Sequence, residues 1–296
     1  MEEYNEFLSR INNSINKEFC IDKKFFYPNQ SLEAKVDKNN CFREFYGDTT
    51  TFDLEQKDKD KIDSIILKLY SNVPECFCKK LDKSYLHMTL HDLSSNVKLE
   101  TIEKLLEINE NKIREILKNE ELLSGVIRLK TYCIANILNI SLVLVLLPID
   151  KNEYEKLMTI YNLIDKVQVL NYKFLPHITL GYYNINGFDI PSIINLENLV
   201  NELNQHEFEI NVNAKYLFYQ HFTSMNNYKK IFRLCNIWGE SNIYTSYWSK
   251  AEATNRFCFK TFIYSYKIFS LQVYLEFHVK FRQIFGNGQF LFDVRI

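Results

Sequence analysis

The sequence predicts an α+β protein with two lobes that face each other across a central cleft. Helical and strand-like patterns alternate irregularly along the 296 residues, and a helix followed by a histidine-bearing strand occurs twice, with equivalent histidines at positions 87 and 177. Two such units would naturally form two facing lobes, each a sheet with helices on its outer side. Hydrophobic residues make up 46% of the chain and aromatic residues 15%, which is ample material for a core.

Three helices and two strand segments are predicted for the first half of the chain. The helices follow from apolar residues repeated at three- and four-residue spacing, and they cover 1–20, 57–73 and 98–119. The strand segments cover 42–54 and 85–93, and apolar and polar residues alternate in the second of them. Within the first segment, Gly47-Asp48 indicates a turn or bulge.

The second half is predicted to begin with a hairpin of strands 124–136 and 140–150, which a short turn joins. Its apolar run at 137–149 is too short to span a bilayer and fits a strand buried on both faces. The further predicted elements are a helix at 152–167, a strand at 174–183, a short helix around 191–203 and a strand at 207–220 with period-two alternation.

Residues 236–296 differ in composition from the rest. They are rich in Phe and Tyr, hold both tryptophans and repeat nothing upstream. We therefore predict a first domain at 1–235, which includes an N-terminal helical segment at 1–40, and an aromatic-rich C-terminal extension at 236–296. Aromatic residues interleaved with Lys and Arg are used for core packing, or as a stacking platform for single-stranded nucleic acid.

Charge and cysteine usage narrow the possible partners and compartment. The 36 basic and 37 acidic residues nearly cancel, so neither stable binding to duplex DNA nor attraction to an acidic membrane surface is expected. Seven irregularly spaced cysteines do not suggest a disulfide framework, and Cys76-Phe77-Cys78 lacks the second pair of a zinc site. The N-terminus is polar and acidic, unlike a secretory signal. The expectation is a reduced, cytoplasmic protein.

Two short stretches, YLHMTLHDL at 85–93 and FLPHITLGYY at 174–183, contain the candidate catalytic residues. Residues two apart in a strand share a face, so His87 lies beside Thr89, and His177 beside Thr179. Two imidazoles converging on a cleft suit displacement at phosphorus, where one group takes a proton and another gives one. The two hydroxyls would donate to phosphate oxygens. This chemistry requires no metal.

The paired sequences His87-Met88-Thr89-Leu90 and His177-Ile178-Thr179-Leu180 resemble the two HxTx signatures of the 2H phosphoesterase superfamily. That group includes the 2′-5′ RNA ligase-like proteins and the cyclic nucleotide phosphodiesterases, and the resemblance covers roughly residues 40–235. It implies a bilobal α+β fold with two antiparallel sheets around a cleft, and metal-independent phosphodiester chemistry on RNA ends or small nucleotides. It also implies that His87 and His177 are the catalytic pair, with Thr89 and Thr179 as phosphate ligands and no cofactor.

Neighbouring residues are candidates for substrate contact. His91 lies two residues beyond Thr89, so simple strand geometry predicts that it shares the catalytic face. Tyr85 and Tyr182 flank the motifs, where they would stack on a base, bond a phosphate or pack at strand ends. His87, His91 and His177 would in principle suit a metal, but no carboxylate or cysteine close in sequence completes a ligand set.

Three functional hypotheses follow. The first is a metal-independent phosphoesterase that acts on a cyclic phosphate or phosphodiester of a nucleotide or RNA end. The second is a non-catalytic module that binds nucleotide or RNA in the same pocket; the intact set of two histidines and two threonines favours the enzyme. The third makes the aromatic tail the main element, recruiting a partner or RNA. The sequence leaves open the substrate, the oligomeric state and which histidine is the acid.

Overall fold

The computed structural model describes residues 2–15, 24–119 and 125–234. The aromatic-rich extension at 236–296 lies outside the described residues, so its role and the boundary near 235 stay predictions.

The predicted helices and strands are present except for the single strand at 207–220, with bounds that differ by a few residues. Within the described ranges, the α-helices are α1 (Tyr4–Ser14), α2 (Gln56–Asn72), α3 (Leu99–Asn119), α4 (Lys151–Asp165) and α5 (Ile190–Leu203). The strands are β1 (Phe25–Phe26), β2 (Tyr46–Asp53), β3 (His87–Asn96), β4 (Val126–Ile137), β5 (Ser141–Pro148), β6 (His177–Tyr182), β7 (Phe188–Asp189), β8 (Glu209–Asn213), β9 (Leu217–Ser224) and β10 (Asn227–Arg233).

Eight of these strands form two antiparallel sheets of four strands each. The first sheet has the order β10-β9-β2-β3 and the second has the order β6-β5-β4-β8, while β1 and β7 form a small pair of their own. Both strands that bear the histidine motifs, β3 and β6, are therefore edge strands, and they lie against each other. The predicted bilobal α+β fold with two antiparallel sheets is confirmed.

The two lobes do not correspond to the two halves of the sequence. The first sheet combines β2 and β3 with β9 and β10, and the second sheet is formed by the chain between them. The N-terminal helix α1 also crosses over, because Phe7 packs against Tyr154 of α4 with 4.9 Å between ring centroids. The chain thus passes between the lobes before β2, after α3 and again after β8, which ties them together.

The prediction of one strand at 207–220 is wrong, because this segment forms two strands in different sheets. β8 pairs with β4, whereas β9 pairs with β2 and β10. A 3-10 turn at Ala214–Tyr216 separates them, and the Asn213 side chain accepts a hydrogen bond of 3.0 Å from the backbone N–H of Lys215. An Asn side chain that bonds the backbone two residues on is a common way to start a turn.

The core lies between the sheets and their helices. Every residue of β5 is buried, as predicted for the apolar run at 137–149. In α2, Ile62, Ile66 and Leu69 are fully buried at helical spacing. Each such side chain contributes roughly 1.5–3 kcal/mol to folding. In the described residues, no helix combines the length and apolarity that crossing a membrane requires.

A buried carboxylate stabilises the first lobe at the predicted irregularity, Gly47-Asp48. Asp48 accepts hydrogen bonds from the backbone N–H of Ser94 (2.7 Å), the amide of Asn109 (3.0 Å) and the hydroxyl of Tyr219 (2.8 Å). These bonds join β2, β3, α3 and β9. Burial raises the pKa of Asp48. Gly47 is required there, since a Cβ would lie 2.4 Å from the carbonyl oxygen of Ser94.

The predicted hairpin of β4 and β5 is confirmed, and its turn is strained. Leu138 and Asn139 both have positive φ, 52° and 55°, which is the type I′ arrangement. Asn139 suits this conformation, but Leu138 does not, because its Cβ crowds the backbone there. The Leu138 side chain is 73% exposed, so it gains little from burial.

We predict that Leu138→Asn stabilises the protein by about 1 kcal/mol, because Asn adopts positive φ with less strain and Leu138 buries little surface. The free energy of unfolding from urea denaturation measures this. Leu138→Val is the matched control: a β-branched side chain at this φ should lower stability. An Asn variant no more stable than the parent would show that the turn is not strained.

Candidate active site

Both histidine strands start at the motif histidine and line one cleft. In β3, from His87, and in β6, from His177, the first four residues alternate between half-buried and buried. The imidazoles and the hydroxyls of Thr89 and Thr179 therefore face the cleft, while the residues between and after them pack into the core. All four side chains line this cleft, which has a volume of about 700 Å³.

The two imidazoles are held in the same way. Nδ1 of His87 lies 2.6 Å from the carbonyl oxygen of Tyr85, and Nδ1 of His177 lies 2.7 Å from the carbonyl oxygen of Leu175. A carbonyl oxygen only accepts hydrogen bonds, so Nδ1 carries the hydrogen in both rings. In the neutral ring, Nε2 is then the unprotonated nitrogen that is available to a ligand.

The two threonine hydroxyls are also available. Among the described residues, none forms a hydrogen bond with the side chain of Thr89 or Thr179. Each hydroxyl has one hydrogen to donate and two lone pairs to accept with. The cleft therefore offers two imidazole nitrogens and two hydroxyls to the same ligand.

A β-bulge follows each motif threonine. The pairing register shifts by one residue at Leu90, between β3 and β2, and at Leu180, between β6 and β5. A one-residue shift reverses which side chains face the cleft beyond it. The next residues of the two strands that line the cleft from this face are therefore Asp92 and Tyr182, three positions after the threonines.

His91 lines the cleft, but its side chain does not lie on the face of His87 and Thr89 that simple strand geometry predicts. The bulge at Leu90 turns its side chain away from His87 and Thr89, and its side chain has no exposed surface. Nε2 of His91 lies 3.0 Å from Oδ1 of Asp165 in α4, and Nδ1 bonds the Asp92 carbonyl oxygen. With both ring nitrogens engaged, His91 joins β3 to α4.

Comparison with solved structures identifies the fold. A crystal structure of a conserved protein of unknown function from Agrobacterium tumefaciens, ATU0111, is 13% identical, with a TM-score of 0.56 over 70% of this chain and 93% of that one. The two HxTx strands of this chain lie side by side at the edges of two antiparallel sheets. The chain shares its α+β fold with ATU0111.

Two further solved structures match this fold less closely. Escherichia coli LigT complexed with 3′-AMP is 14% identical, with a TM-score of 0.40 over 64% of this chain and 97% of that one. The protein TT0787 of Thermus thermophilus is 11% identical, with a TM-score of 0.38 over 63% of this chain and 95% of that one. No protein-family model and no curated protein matches the sequence.

One side of the cleft is an aromatic wall formed by Phe45, Tyr85, Phe222 and Tyr228. Tyr228 lies edge-on to His87, with 4.7 Å between ring centroids, and 6.1 Å from Tyr85 and 5.5 Å from Phe222. Only Tyr85 was recognisable from its place beside a motif. The others come from the segment before β2 and from the β9–β10 hairpin, which carry no motif.

The predicted contact residue Tyr182 lines the cleft, but it is 8% exposed. Its hydroxyl donates to Sδ of Met225 at 3.1 Å, so its ring rather than its hydroxyl is left for other contacts. The ring of Phe42 packs edge-on against it at 5.9 Å. Tyr182 is thus part of the packed cleft wall.

Two charged residues of the cleft, Lys35 and Asp92, could not be predicted from the HxTx motifs. Lys35 comes from the segment before β2, and its Nζ lies 5.5 Å from the ring centroids of both Phe45 and Tyr182. Asp92 is exposed, and its Oδ2 accepts a hydrogen bond of 2.7 Å from the hydroxyl of Tyr172. Besides the polar motif residues, the cleft is therefore lined by the ammonium of Lys35 and the exposed carboxylate of Asp92, together with Asp48 and Lys173.

Burial lowers the pKa of both motif histidines, because the charged imidazolium loses hydration. For His177 the positive charge of Lys35 lowers the pKa further, and for His87 that of His177 does. The carbonyl partners and the charge of Asp92 act in the opposite direction without reversing the shift, and the charge of Asp53 does so for His87.

In the described part of the chain, no group of three or more His, Cys, Asp or Glu side chains is placed to hold a metal ion. The histidine set considered from the sequence is not assembled, since His91 pairs with Asp165 instead of joining His87 and His177.

We predict that His91→Ala lowers the free energy of unfolding by about 1–3 kcal/mol, because it leaves Asp165 without its partner and opens a buried space. Urea denaturation of His91→Ala, Asp165→Ala and the double variant forms a double-mutant cycle, with an expected coupling of roughly 0.5–3 kcal/mol. If His91→Ala unfolds at the same urea concentration as the parent, His91 does not join β3 to α4.

Proposed function

We propose that this protein is a metal-independent phosphoesterase that cleaves a cyclic phosphate or phosphodiester of a nucleotide or RNA end. The observation that carries the proposal is the matched pair of imidazoles. His87 and His177 stand at equivalent positions of two adjacent strands, each with Nδ1 bonded to the carbonyl oxygen two residues earlier and Nε2 left for a ligand. Two histidines in one cleft suit a reaction in which one group accepts a proton from the nucleophile and the other donates a proton to the leaving group.

The proposed reaction consumes one water. One neutral histidine accepts a proton at Nε2 from the water as its oxygen bonds to phosphorus. The other histidine, protonated, donates its Nε2 proton to the ester oxygen as the bond from phosphorus to that oxygen breaks. From a 2′,3′-cyclic phosphate the product is a phosphomonoester with a free neighbouring hydroxyl. The hydroxyls of Thr89 and Thr179 donate to the non-bridging oxygens, whose negative charge grows in the transition state.

The aromatic wall supports a nucleotide rather than a simple phosphate ester as substrate. Its rings extend from Phe45 through Phe222 and Tyr228 to Tyr85, and Tyr228 touches His87. A base stacked on an aromatic ring gains about 1–3 kcal/mol with little dependence on base identity. A phosphate held at the histidines thus has room for its base on this side.

Replacing either histidine should abolish most of the activity. His87→Ala and His177→Ala are each expected to lower kcat/KM for nucleoside 2′,3′-cyclic phosphates by about 10²–10⁴-fold, since each removes one proton transfer. The assay is run with and without EDTA, and the wild-type rate should be the same in both.

His206→Ala is the matched control, because His206 is exposed and lies outside the cleft. A wild-type rate in either motif variant would overturn the catalytic assignment, and a rate abolished by EDTA would overturn metal independence. If the wild-type protein binds 3′-AMP but turns over no cyclic nucleotide or oligonucleotide, it is a binding module.

The pH profile of kcat/KM should be bell-shaped with its maximum below about pH 6.5. The base histidine must be neutral, so the rate falls as pH drops through its pKa. The acid histidine must be charged, so the rate falls as pH rises through its pKa. Burial lowers both pKa values, which moves both limbs to lower pH than for exposed histidines.

Initial rates from about pH 4.5 to 8.5, at substrate concentrations well below KM, measure this profile of the free enzyme. A maximum above about pH 7 would contradict the expectation that desolvation dominates the pKa of these histidines.

A further inference from the structure

Lys35 is a half-buried cation in the cleft that lacks an anionic partner. Among the described residues, no carboxylate lies within 4 Å of its Nζ, and no hydrogen bond to Nζ is formed. Its neighbours are the rings of Phe45 and Tyr182, each 5.5 Å away. Asp92 lies close enough to interact by charge, but it is not in contact and bonds Tyr172 instead.

The backbone holds Lys35 in place. Its N–H donates to the carbonyl oxygen of Leu32 at the end of a 3-10 helix, and its carbonyl oxygen accepts from the N–H of Arg43, both at 2.9 Å. The next residue, Val36, forms a bridge with Phe42. The backbone of Lys35 is thus fixed on both sides, and the rings of Phe45 and Tyr182 lie beside its Nζ.

An ammonium in this position is unfavourable without a ligand. Burial removes hydration from the charge and lowers the pKa of Lys35, and the rings return only part of the lost stabilisation. Elsewhere in the fold Lys59, which is also removed from solvent, is paired with Asp53 at 2.7 Å. A bound anion would stabilise the charge of Lys35 as the carboxylate of Asp53 stabilises the charge of Lys59.

Lys35 lies beside a later residue of β6 than the motif pair. Its Nζ is over the ring of Tyr182, which comes three residues after Thr179 and beyond the bulge at Leu180. Lys35 lines the same cleft as the motif residues, and its charge acts on His177.

We propose that Lys35 binds a second phosphate of the substrate, one not cleaved in the reaction. This inference rests on the proposed function and narrows its substrate class to nucleotides or RNA ends that carry a phosphate besides the scissile one. The second phosphate is either a terminal group on the same nucleotide or the diester that links the preceding nucleotide.

The test compares three substrates: a nucleoside 2′,3′-cyclic phosphate, the same compound with a 5′-phosphate, and a dinucleotide that ends in a 2′,3′-cyclic phosphate. The wild-type protein should prefer one of the two larger substrates, and which one it prefers identifies the source of the second phosphate. In Lys35→Met, the ratio of kcat/KM for that substrate to kcat/KM for the simple one should fall about 10- to 100-fold, since a charge-assisted hydrogen bond is lost.

Methionine keeps an unbranched stem over Phe45 and Tyr182, so packing changes little. Lys35→Arg should retain most of the ratio, because it retains the charge. Lys38→Met is the matched control: Lys38 lies in the same segment but is exposed, and its replacement should leave the ratio unchanged. An equal loss on all three substrates, or no loss on any, would overturn the proposal.

Failure of the proposed function is distinguishable from failure of this inference. If the wild-type protein turns over none of the substrates, calorimetry with adenosine 3′,5′-bisphosphate and 3′-AMP tests Lys35 by binding alone. Weaker binding of the bisphosphate to Lys35→Met, with a smaller change for 3′-AMP, supports the second phosphate site. Equal changes for both ligands refute it.

Discussion

The contact between two sheet edges, β3 and β6, is the constraint on which the candidate site depends. An edge strand has one unpaired side, and here the two edges meet instead of facing solvent or another chain. Because both strands begin at a motif histidine, this contact brings His87 and His177 to one cleft. The crossings after α3 and β8 tie the lobes together, so the distance between the imidazoles is set by the whole fold.

The bulges in β3 and β6 divide each strand into two parts with different contacts. Before Leu90 and Leu180, alternation directs the motif histidine and threonine to the cleft; after them, the register shift changes what faces inward. In β3 the residue after the bulge is His91, which bonds Asp165 of α4. In β6 it is Gly181, where a Cβ would lie 3.0 Å from the hydroxyl of Tyr70. The bulge in β3 thus lets the His91 side chain bond α4, and the bulge in β6 places Gly181 where Tyr70 of α2 packs closely.

Periodicity predicted the helices, most strands and the two motif pairs, because each depends on local spacing. It did not predict the face of His91, since the extra residue in each bulge is a leucine and carries no turn signal. It also merged β8 with β9, because alternation resumes after the turn at 214–216. Lys35, Phe222 and Tyr228 reach the cleft from segments far from the motifs, and only tertiary structure brings them there.

The charges of the cleft are arranged at a cost to stability. The imidazoles of His87 and His177 and the ammonium of Lys35 are partly removed from water. Burial lowers the pKa of all three groups, which favours their neutral forms. A single carboxylate, Asp92, acts by charge on all three without forming an ion pair with any of them, since its own hydrogen bond is to Tyr172. A cleft whose basic groups are only partly compensated is complementary to an anion, and an anion bound there would remove part of the penalty. Ligand binding and stability are therefore linked through the same side chains.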